Sequence, residues 1–139
     1  MILRCSYEEL TALTATAQRV LDAKVGMGGV VAPPEIVAEI ETLLPRLDGD
    51  MGLETLAEEW WLERILDYLL SDAKDRMDDL VVEQYVGAED AVNAYFDYAN
   101  ILAVYGKVRE IGREMAMLIE LMTGHPPTAE TARSVAFPD

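Results

Sequence analysis

Residues 88–122, AEDAVNAYFDYANILAVYGKVREIGREMAMLIELM, decide the fold. Ala94, Asp97, Ile101, Val104, Val108, Ile111, Met115, Leu118 and Met122 alternate steps of three and four without a fault. That spacing holds one stripe of a helix against a partner, as in a coiled-coil seam. Glu89 and Asp90 suit the positive end of its dipole, and Gly124 with Pro126-Pro127 stops it. Upstream, 53–86 repeats the rhythm through Leu62, Leu66, Leu69, Ala73, Met77 and Leu80, with no glycine or proline inside. Gly87 alone joins the two stretches, so they must fold back antiparallel into a hairpin ~50 Å long.

The flanking sequence supplies shorter helices. Ser6 and Glu9 form a capping-box pair, and Leu10, Leu13, Ala17 and Val20 mark one face of a helix to about Lys24. Gly26, Gly28 and Gly29 then make a loop. A phosphate cradle would need a following Lys-Ser/Thr and a strand before it, and neither is there. Pro33-Pro34 opens a short helix with Ile36, Val37, Ile40, Leu43 and Leu44 buried, Pro45 ends it, and 48–52 is a turn. The tail adds one more turn through Ala132. The expected class is all-α: an irregular four-helix bundle built on a long antiparallel helical hairpin, with a short C-terminal extension. It forms a single helical domain over 1–139, with the bundle in 1–124 and the extension in 125–139.

Composition narrows function by exclusion. Eleven Lys plus Arg against 26 Asp plus Glu give a net charge of −15 in 139 residues. Direct nucleic-acid binding is disfavoured, because phosphates demand clustered positive charge. A 51% hydrophobic content is too high for a disordered acidic tail. No apolar run approaches a membrane span, and the N-terminal residues do not read as a signal peptide, so a cytoplasmic protein without membrane contact is expected. One cysteine and one histidine exclude an internal disulfide and His-rich metal sites. His125 reads as a loop or capping residue and Cys5 as a small buried one. No catalytic constellation and no cofactor motif emerges.

Carboxylates and aromatics remain as candidate sites. Asp72, Asp75, Asp79 and Glu83 share one helix face. Such a ridge is a solvated surface, a docking ridge or a weak Mg²⁺ or Ca²⁺ site. Asp97 interrupts the seam; reflected through Gly87 it falls opposite position 77, beside Arg76. A carboxylate there must be paired or its pKa must rise, and it either fixes helix register or contacts a ligand. Glu59 holds a comparable seam position opposite about 115, far from Asp97 along the hairpin. Tyr95, Tyr98, Leu102 and Tyr105 line a second apolar face that the first helix can cover; with Asp97 the tyrosines are the ligand candidates. Trp60, Trp61 and Phe96 are interface candidates. Lys107, Arg109 and Arg113 should pair with acids between Glu54 and Glu63.

The sequence therefore points to a non-catalytic interaction or assembly module that self-associates as a homodimer. One alternative is an acidic inhibitor or immunity-type protein that neutralises a basic partner, its charge speeding encounter. The other is a bundle that binds a small ligand or divalent cation through interior carboxylates and tyrosines.

Overall fold

Ser6 accepts a hydrogen bond from the Glu9 backbone N–H while the Glu9 carboxylate accepts one from the Ser6 N–H, so α1 (Tyr7–Asp22) starts with the expected capping box. The computed structural model describes residues 1–23, 32–82 and 88–138. The glycine loop after α1 and Gly87 lie outside the described residues, as does Glu83. Pro34 begins α2 (Pro34–Leu43), whose last turn tightens into a 3-10 turn over Leu44–Arg46 around Pro45. The long helices are α3 (Leu56–Val82) and α4 (Ala88–Thr123), and α5 (Ala129–Ser134) closes the chain. The chain is thus mostly helical, as the all-α reading expects. Gly124 ends α4 at a φ of +81°, a left-handed position that glycine adopts without a Cβ clash.

One feature is additional to the sequence reading. Ile2–Leu3 (β1) pairs antiparallel with Met51–Gly52 (β2), inside the stretch read as a turn. Met1 N–H groups and the Leu53 N–H exchange hydrogen bonds with the Leu53 and Met1 carbonyls, and Phe137 N–H donates to the Glu54 carbonyl. Both ends of the described chain are therefore stitched to the segment that launches α3. Ala132 and Phe137 are buried, so the C-terminal segment belongs to the core.

The core gathers side chains from α1, α3 and α4 together with Ile40 and Leu43 of α2, Leu3 and Met51 of the strands, and Ala132 of α5. Leu66 and Leu69 of α3 and Val104 and Val108 of α4 are fully buried, while Met77 and Ile111 are half-buried. Each fully buried aliphatic side chain contributes roughly 1.5–3 kcal/mol. Arg76 meets Asp97, Glu63 meets Arg109 and Glu59 meets Gly112, so α3 and α4 run in opposite directions. Among the described residues, no helix is long and apolar enough to cross a membrane.

Candidate functional site

Asp97 anchors the first cluster. Its carboxylate accepts a hydrogen bond from Arg76 at 3.1 Å, and Arg19 of α1 approaches to 4.0 Å. Arg19 also bonds Asp72 at 3.0 Å, which ties α1, α3 and α4 together through alternating charges. Burial pushes the Asp97 carboxyl above its ordinary value; Arg76 and Arg19 pull it down without cancelling that rise. Both guanidinium groups of the cluster are thus engaged with carboxylates of neighbouring helices. Asp75 and Asp79 stay exposed on the ridge, and Asp72 faces Arg19. Among the described residues, no three acidic, histidine or cysteine side chains converge to hold a metal ion.

The second cluster surrounds Glu59, one helical turn into α3. Its seam position buries it to 1% exposure, and its Oε1 has no hydrogen-bond partner. The carboxyl occupies the space where a side chain at position 112 would start: a Cβ on Gly112 would lie 2.4 Å from the Glu59 Cδ. Glycine in mid-helix costs about 1 kcal/mol, and here it makes room for a buried acid. Burial raises the Glu59 pKa to about 8, helped by a hydrogen bond and repulsion from Glu63; Arg109 opposes this. Arg109 Nε lies 3.8 Å from Glu63 Oε1 and its guanidinium sits over the Tyr105 ring. A cleft of about 370 Å³ opens here, lined by Leu56, Glu59, Trp60, Glu63, Arg109, Gly112, Arg113, Ala116 and Pro127. A neighbouring hollow of about 350 Å³ is lined by Trp60, Glu63, Arg64, Asp67 and Tyr105. Sequence spacing found Glu59 but not Gly112, because the helix pairing slips by about a turn from the reflected position 115.

The remaining candidates divide by face. Tyr98 and Tyr105 are half-buried against the core, whereas Tyr95 and Leu102 are 63% and 45% exposed. The first helix does not cover the tyrosine face. It meets the opposite flank of α4, where Lys107 bonds Glu9 at 2.7 Å and Arg19 approaches Asp97. Lys107 thus departs from the expected pairing with 54–63, Arg113 pairs with Glu110 on its own helix, and Arg109 keeps to Glu63. Trp61 is half-buried beneath the Arg46 guanidinium, while Trp60 and Phe96 are partly exposed. Comparison with protein-family models, curated proteins and solved structures gives no match to this chain.

Proposed function

We propose that the chain is a non-catalytic assembly module, an irregular four-helix bundle on the α3–α4 hairpin that pairs with a second copy through the outer face of α4. At 3.6 residues per turn, Val92, Tyr95, Ala99, Leu102, Ala103 and Gly106 lie opposite the buried stripe of Ile101, Val104 and Val108. Met117 and Leu121 continue the same outer line beyond the Glu110–Arg113 ion pair. A surface helix normally carries polar residues on that side, and an apolar outer face asks for a cover.

Gly106 carries the argument. A Cβ there would meet nothing within 4 Å, so the fold itself has no need of glycine at this position. The helix nevertheless bears the cost of about 1 kcal/mol. An antiparallel pairing of two α4 helices, centred between Asn100 and Ile101, sets Tyr95 of each copy against Gly106 of the other. Ala99 and Ala103 then let the backbones approach closely.

In this register the two α4 helices overlap over residues 88–113, a strip ~38 Å long and about 10 Å wide that covers on the order of 400 Å² per copy, below the standard specific interface. Two chains at −15 also repel each other. A weak dimer that strengthens with added salt is therefore expected, because salt screens exposed charges beyond ~8–10 Å. Sedimentation velocity at about 100 µM should show a larger dimer fraction at about 0.5 M NaCl than at low salt. Tyr95→Lys should abolish it, and Gly106→Ala should weaken it while raising the melting temperature. A monomer at high salt rejects this reading.

A further inference from the structure

We propose that the cleft between α3 and α4 is a binding site for a small primary alkylammonium, its head held by Glu59 and Glu63 and its chain laid on Leu56, Ala116 and Pro127. Four observations converge. The Glu59 carboxyl is buried to 1% exposure with Oε1 unpartnered, although buried polar atoms are nearly always satisfied. It stands in a niche that exists because position 112 has no side chain. The cleft above it holds about 370 Å³, within the ~300–1,000 Å³ range of small-molecule sites. Glu63, one-third exposed, supplies a second carboxylate at the mouth.

The chemistry of the lining selects the ligand. Arg109 pairs with Glu63 and sits over Tyr105, and Arg113 pairs with Glu110, so each guanidinium at the cleft is balanced by a carboxylate, whereas the Glu59 carboxyl has no ion-pair partner among the described residues. Among the described residues no third acid, histidine or cysteine joins Glu59 and Glu63 to hold a metal ion. An ammonium has three donors on a compact head, which two carboxyl groups can nearly satisfy. Trp60 is among the lining residues, and an indole ring attracts a cation placed over its face. The head meets Glu63 first, and the Glu59 carboxyl turns outward about its terminal torsions to receive it. Glu59 enters the exchange as the neutral acid. Its O–H bond breaks as the ion pair forms, the proton leaves to solvent, and the ammonium keeps its three hydrogens. Charge balances: one cation enters and one proton departs.

Calorimetric titration of the full chain with n-butylammonium near pH 7, in two buffers of different ionisation enthalpy, tests this. Saturable binding at about millimolar concentration with release of about one proton is expected. Glu59→Gln should weaken binding at least roughly tenfold and release no proton. Ala116→Phe fills the cleft while keeping both carboxylates, and should also lose binding. n-Butanol and butyrate, matched in length, should not bind. Absence of saturable heat, unaltered binding by folded Glu59→Gln, or butyrate binding as well as butylammonium would each overturn the proposal. None of these arms depends on dimerisation, because the cleft is complete within one chain.

Discussion

Raising the pH from about 4.5 to 8 should remove on the order of 3–5 kcal/mol of stability through Glu59 alone, and Glu59→Gln should abolish most of that loss. The sign follows from where the proton sits. The folded chain holds the Glu59 proton up to about 8, against an ordinary value of 4.5. Below that ordinary value both folded and unfolded chains are protonated, and the contribution is fully present. Between the two values the unfolded chain releases a proton that the folded chain retains, so stability falls as pH rises. Above about 8 the loss is complete. Glu63 reinforces the shift and Arg109 opposes it, while Arg113 lines the same cleft. Asp97, also raised by burial, adds a change of the same sign.

Glu9 works the other way. Burial tends to raise its pKa, but the Lys107 and Ser6 hydrogen bonds together prevail and lower it. Its contribution is lost only as the pH falls through that lowered value, at the acid end. Urea unfolding at about pH 5, 7 and 9 should therefore give a wild-type decline that flattens in Glu59→Gln. Gly112→Ala supplies an independent arm. Its methyl group must evict the Glu59 carboxyl toward water, where the pKa returns toward normal, and it adds about 1 kcal/mol of helix propensity. That variant should be weaker than wild type near pH 5 and stronger near pH 9. Equal slopes in all three proteins would mean that Glu59 ionises freely.

The helices were legible because their signal is redundant. In α3 and α4 fourteen apolar positions repeat one spacing, so no single residue decides the outcome. The β1–β2 pair carries no such signal: two residues per strand cannot show a period. Asp97 could be matched to Arg76 because both lie about ten positions from Gly87 in the sequence, where counting accumulates little error. Glu59 lies 28 positions from that glycine, and there the pairing had slipped from 115 to 112. The space left by Gly112 was therefore invisible, although Glu59 itself stood out as an acid in an apolar row. Which flank α1 covers depends on Arg19, Lys107 and Glu9 meeting across long stretches of chain, and helical periodicity is blind to such pairings.

Ile101 and Leu102 adjoin in sequence and should answer oppositely to truncation. Ile101 is fully buried, with Val104 and Val108 beside it on the stripe that faces α3. Ile101→Ala should cost about 2–5 kcal/mol, the transfer term plus the cavity left behind, and Leu69→Ala across the seam should cost the same. Leu102 is 45% exposed on the outer face. Leu102→Ala should change monomer stability by no more than about 0.5 kcal/mol, as surface substitutions usually do. The assembly measurement reverses the ranking. Leu102→Ala should reduce the salt-dependent dimer, whereas a folded Ile101→Ala protein should pair as wild type does. Unfolding at low concentration, where the monomer prevails, isolates the first effect; sedimentation at high concentration isolates the second. Equal destabilisation by both substitutions would mean that both faces of α4 are buried within one chain. A dimer indifferent to Leu102→Ala and Tyr95→Lys would move the interface elsewhere. Because one helix carries both faces, it binds the stability of the fold and the proposed pairing of its copies to adjacent residues that face opposite ways.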